Sequence, residues 1–135
     1  MVVNLELNEE EEPGCIAVLA DKKYFHVGQS FLKRTVREGE WPTSRSGRAI
    51  VPSPSYEHRW NNDAETLMFL RKHTNIPLPA YQCIFKDAGA LYLFTEYVDG
   101  VSMDELSLTQ QEIVMREVEE HVATLHSLRS KTPGG

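Results

Sequence analysis

Three short apolar runs near the N-terminus constrain the fold more than anything else in the chain. Cys15-Ile16-Ala17-Val18-Leu19, Tyr24-Phe25-His26-Val27 and Ser30-Phe31-Leu32-Lys33-Arg34-Thr35-Val36 are separated only by turns at Asp21-Lys22 and Gly28-Gln29. Connections this short join antiparallel neighbours, so the three runs predict a β-meander. Two further strands are expected at Tyr81–Phe85 and Ala90–Tyr97, around an Asp87-Ala88-Gly89 turn. Between the two groups, Trp60, Ala64, Leu67 and Met68 share one sector of a helical wheel, with Leu70 at its edge. That helix is expected to start with Asn61 or Asn62 as N-cap and to run to about His73, before Pro77 and Pro79. The stretch 37–60 is rich in Ser, Pro, Gly and Arg and lacks periodicity, which reads as a mobile loop.

After Asp99-Gly100, Ser102-Met103-Asp104-Glu105 has the form of a capping box and predicts a short helical turn. Thr109-Gln110-Gln111-Glu112 repeats the form and is expected to open a second helix. Its stripe is Val114, Val118, Val122, Leu125 and Leu128, and burying each side chain is worth roughly 1.5–3 kcal/mol. Such a stripe calls for a surface to cover it, either a second copy of the chain or another lobe. The expected fold class is α+β: a five-stranded antiparallel sheet with one interposed helix, then a linker and a C-terminal helix.

The 135 residues suit a single domain. The formal net charge of −6 argues against a general nucleic-acid binder, although part of it sits in Glu9-Glu10-Glu11-Glu12, which reads as an acidic tail over residues 1–13. The sequence holds neither a membrane-spanning apolar run nor a signal-peptide pattern, so a cytoplasmic location is expected. Cys15 and Cys83 lie in strand-like runs and read as buried, reduced thiols. The five histidines are scattered without metal-ligand spacing.

Three segments carry a resemblance. Lys33 lies in an apolar third strand, although an alternating strand also places lysines on a wet face for no functional reason. Thr95-Glu96-Tyr97-Val98-Asp99-Gly100 reads equally as a hinge between lobes or as a strand end followed by a turn. Asn62-Asp63-Ala64-Glu65 leads into Thr74-Asn75-Ile76-Pro77-Leu78-Pro79. In this order, and with His121–Leu128 following, they resemble the small lobe of aminoglycoside-phosphotransferase-like kinases, especially fungal members, over about residues 14–135.

The resemblance implies an ATP site. Lys33 would grip the α- and β-phosphates, the carbonyl of Glu96 and the amide of Val98 would read the adenine edge beside Tyr97, and Thr95 would lie behind. The family's lysine-pairing glutamate falls on Asp63, one methylene shorter. Glu65 is the tempting substitute, but two residues along a helix turn it about 200° away. The His-Gly-Asp element and the later magnesium-binding aspartate of the family do not occur, so no catalytic or metal residue is assigned. Magnesium is implied by the family alone. The expectation is the N-lobe portion of a small-molecule kinase, inactive by itself. The alternative is a stand-alone binding or regulatory module that uses the lobe fold without nucleotide.

Overall fold

The computed structural model describes residues 12–51 and 53–129. Five strands, β1 (Cys15–Val18), β2 (Lys22–Val27), β3 (Ser30–Thr35), β4 (Tyr81–Asp87) and β5 (Ala90–Glu96), form one antiparallel sheet in the order β1-β2-β3-β5-β4. Helix α1 (Tyr56–His73) connects β3 to β4 and packs on β4 and β5. Helix α2 (Leu108–Ser127) follows a short 3₁₀ turn at Met103–Glu105. The arrangement is the expected α+β lobe, with β3 at its centre.

Two local features fix the hairpins. Asp87 pairs with Ala90, so the β4–β5 loop is the dipeptide Ala88-Gly89, with φ of 47° and 77°. Two positive φ values are what a tight hairpin needs to match the strand twist. Gly14 has φ +86°, and a Cβ there would lie 2.7 Å from the carbonyl oxygen of His26. The Gly14 carbonyl accepts the His26 N–H at 2.8 Å, so β1 enters the sheet only if this position is bare.

Strand alternation divides the core between two faces. On one, Leu91 and Leu93 are buried against Tyr56, Trp60 and Ala64 of α1, with Tyr81 and Ile84 alongside. On the other, Cys15, Phe25 and Leu32 are buried with Val18, Tyr92 and Phe94. This second face also holds an ion network. Lys23 and Arg34 are directly opposite in the β2–β3 register, an arrangement that like charges make unfavourable. Glu12 and Glu40 resolve it. Arg34 donates to Glu40 at 2.7 and 2.9 Å and to Glu12 at 2.9 Å, and Lys23 reaches both carboxylates. The Arg34 side chain is only 2% exposed.

The structure corrects several expectations. The acidic tail lies outside the described residues except at its end, where Glu12 is not a solvated charge but an anchor for two cations. Helix α1 begins at Tyr56, not at Asn61 or Asn62. The spacing Tyr56–Trp60–Ala64 extends the buried stripe one turn further back, and that burial outweighs the turn preference of the asparagines. The irregular stretch therefore ends at Ser55. It contains a 3₁₀ turn at Glu38–Glu40 and a bridge between Thr43 and Ala49.

Helix α2 is capped by Ser107, whose hydroxyl accepts the Gln110 N–H, so Thr109 lies inside the helix. Met68 is about half exposed. Cys15 is buried as expected, but Cys83 is exposed, because β4 is an edge strand and its second face is thinly covered. No disulfide joins the two cysteines, which lie on opposite edges of the sheet. No described helix is long and apolar enough to cross a membrane.

Candidate functional site

Alternation along β3 places Phe31, Lys33 and Thr35 on the face that α1 crosses. The register sets Lys33 opposite Leu93 and Tyr24, and Phe31 opposite Thr95 and His26. Asp63 stands on α1 three residues after Trp60, which anchors the helix to the same face. The Lys33 Nζ lies 3.4 Å from Asp63 Oδ2 and 5.1 Å from the centre of the Trp60 ring. A charge-assisted bond is normally ~2.7–2.9 Å, so the short aspartate reaches its lysine loosely. Among the described residues Glu65 forms no ion pair with Lys33, in keeping with its turn away from the sheet.

Two adjoining hollows open on this face. The larger, of about 520 Å³, is lined by Lys33, Asn62, Asp63, Thr66 and Leu93 among others. The smaller, of about 270 Å³, is lined by Ile16 and by the segment Glu96-Tyr97-Val98. Phe31, Pro79 and Thr95 line both. All six residues singled out in the sequence, Lys33, Asp63, Thr95, Glu96, Tyr97 and Val98, thus border one composite cleft. Thr95 is buried at its back, whereas Val98 is exposed at its rim.

The backbone at the end of β5 departs from a regular ladder. The Glu96 N–H donates to the Ala80 carbonyl at 2.8 Å. A regular pair would return the bond from the Ala80 N–H to the Glu96 carbonyl. That N–H donates instead to the Glu96 carboxylate, at 3.0 Å. The Glu96 carbonyl is thereby released from Ala80. The Tyr97 N–H is held by the Gln29 carbonyl at 2.8 Å, and among the described residues the Val98 N–H donates to none. The Glu96 carbonyl, released from Ala80, and the Val98 N–H lie two residues apart on the segment that borders the smaller hollow.

Several contributors were not singled out beforehand. The His26 ring stacks on the Tyr97 ring with centroids 3.5 Å apart and planes 6° apart, and its Nε2–H donates to the Gly28 carbonyl at 2.8 Å. Phe31 was legible as a same-face neighbour of Lys33, two residues along a strand. Pro79 and Ile16 left no such signal, because their place depends on how the loop before β4 and the β1 edge fold over the sheet.

A third hollow, about 480 Å³, opens at the other end of the sheet beside Trp41, Tyr56 and Leu91. Its charged residues are Glu57, Lys86 and Asp87, with Lys86 paired to Glu57, so its lining is net negative and suits an anion less well than the Lys33 cleft does. Among the described residues, no group of three or more His, Cys, Asp or Glu side chains converges to hold a metal ion. The sequence matches no model of a known protein family and no curated protein.

Proposed function

We propose that this chain is the nucleotide-binding lobe of a small-molecule kinase similar to the aminoglycoside phosphotransferases. In this reading Lys33 grips the phosphates of ATP, Asp63 steadies Lys33, and the Glu96 carbonyl and Val98 amide face the base in front of Thr95. The observation that carries the reading is the convergence of Lys33 and Asp63 with the released backbone groups of 96–98 along one cleft. The cation comes from a central strand, which holds it more firmly than a loop would, as phosphate positioning requires.

Asp63 and Lys33 form a pair, not a magnesium cage, and the chain offers no hydroxyl-orienting aspartate of the His-Gly-Asp kind. Phosphoryl transfer rests on positioning and on charge neutralisation, so this lobe binds without turning over. A cytoplasmic setting, where ATP is abundant, accords with the reading.

The exposed stripe of α2, with Val118, Val122 and Leu125 each at least 42% exposed, suits a partner surface and so also fits a second reading: a binding module that uses the lobe fold without nucleotide. Thermal unfolding with magnesium-ATP separates the two. Ligand at ten times its dissociation constant adds about 1.4 kcal/mol of stability. The nucleotide reading predicts such a shift in the wild type and its loss in Lys33→Ala. An ATP-independent melting temperature supports the second reading.

A further inference from the structure

We infer that Phe31 partitions the proposed nucleotide site, so that this lobe takes the polyphosphate end of its ligand at Lys33 and gives the base little purchase until Phe31 is displaced. The inference rests on the nucleotide reading and deepens it.

The two hollows that make up the cleft share Phe31, Pro79 and Thr95 and divide the rest of their lining. Lys33, Asn62, Asp63 and Thr66 border only the larger, and Glu96, Tyr97 and Val98 border only the smaller. A ligand with its phosphates at Lys33 and its base at 96–98 must cross the row between them. That row is made of the residues that line both hollows: Phe31, its β5 register partner Thr95, and Pro79. Phe31 lies two residues from Lys33, about 6.6 Å along the strand, where the sugar and the near edge of the base would have to pass.

The ring is not free to swing towards β2. It packs on Tyr24 with centroids 5.4 Å apart, and His26, the next same-face residue of β2, is held by the Tyr97 ring and the Gly28 carbonyl. Thr95, buried opposite Phe31, is the shared floor of the two hollows, so a ligand that spans them has to pass over the Phe31 ring. The Lys33 hollow is complete without the base. The Lys33 ammonium, the Asn62 amide and the Thr66 hydroxyl are all donors for phosphate oxygens, with Asp63 opposing any anion that lacks a cation. The fitting ligand class is therefore a magnesium-bound polyphosphate, free or as part of a nucleotide.

The test is calorimetric titration of the whole chain, with magnesium present, by ATP and by inorganic tripolyphosphate. The variants are Phe31→Ala, Phe31→Leu and Lys33→Ala. The wild type is expected to bind the two ligands within about threefold, a difference under about 1 kcal/mol. Phe31→Ala should tighten ATP by about tenfold or more and leave tripolyphosphate unchanged. Phe31→Leu keeps an apolar strand residue and should move ATP in the same direction by less, which preserves the test where the alanine variant misfolds. Lys33→Ala should weaken both ligands. A wild type that prefers ATP by about tenfold or more, or a folded Phe31 variant that binds ATP no better, overturns the partition. Binding that is indifferent to Lys33→Ala for both ligands overturns the nucleotide reading itself. ATP binding through Lys33 with Phe31 irrelevant sinks only the inference.

Discussion

Replacing Glu40 by glutamine strips one charge from the ion network behind the central strand. Glu40 accepts from Arg34 at 2.7 and 2.9 Å, from Lys23 at 2.7 Å and from the Arg37 N–H at 2.9 Å. In Glu40→Gln only Glu12 remains to balance two buried cations that face each other across the β2–β3 register. Breaking one partner out of a buried pair costs about 3–5 kcal/mol, and the quarter of the Glu40 side chain that remains exposed lowers this to about 2–3 kcal/mol.

The pH dependence gives a second handle. The Arg34 hydrogen bonds, with those from Lys23 and the Arg37 amide, outweigh burial and hold the Glu40 carboxyl well below its ordinary value of 4.5. The folded state therefore binds fewer protons than the unfolded chain, and the stability Glu40 supplies is present in full only above about pH 4.5. It drains as pH falls, by about 1.4 kcal/mol per unit, so the wild type gives up about 2 kcal/mol of this contribution by pH 3. Urea unfolding at pH 7 should show the full deficit of Glu40→Gln, and at pH 3 the two proteins should nearly coincide. A variant as stable as wild type at pH 7, or a deficit that does not shrink in acid, refutes the network as described.

Gly14→Ala should cost about 1–3 kcal/mol from the left-handed backbone alone, with more from the clash at His26, read as a lowered melting temperature. Trp60→Ala should cost about 3–5 kcal/mol in urea unfolding, because it empties the contact between α1 and Leu93. Under native conditions a thiol reagent should label Cys83 promptly and spare Cys15, and mass measurement without reductant should show both cysteines still reduced.

The strands were legible because turn residues and short connections allow only one pairing scheme for β1–β3. The Lys33–Asp63 pairing was legible too, since helical rotation alone excludes Glu65. What the sequence hid came from tertiary competition. Nothing local says that Tyr56 belongs to α1, because its helical status comes from packing with Trp60 on Leu91 and Leu93. Glu12 looked like one of four solvated glutamates, and only the opposed cations Lys23 and Arg34 make it an anchor. The thin cover over Cys83 follows from β4 being the sheet edge, which depends on strand order and not on the apolar run around the cysteine. Within the cleft, the release of the Glu96 carbonyl is a backbone event that its side chain causes, and no residue pattern announces it.

The phosphate grip proposed for Lys33 and its surroundings can be read residue by residue. Amide chemical-shift mapping of the whole chain during titration with magnesium-ATP tests it most directly. Shifts are expected to centre on Phe31, Lys33, Asn62, Asp63 and Thr66, to spread to Glu96, Tyr97 and Val98 in Phe31→Ala, and to vanish in Lys33→Ala. Shifts that cluster instead around Trp41, Tyr56 and Ala88, or a spectrum that ATP leaves unchanged at millimolar excess, would contradict it.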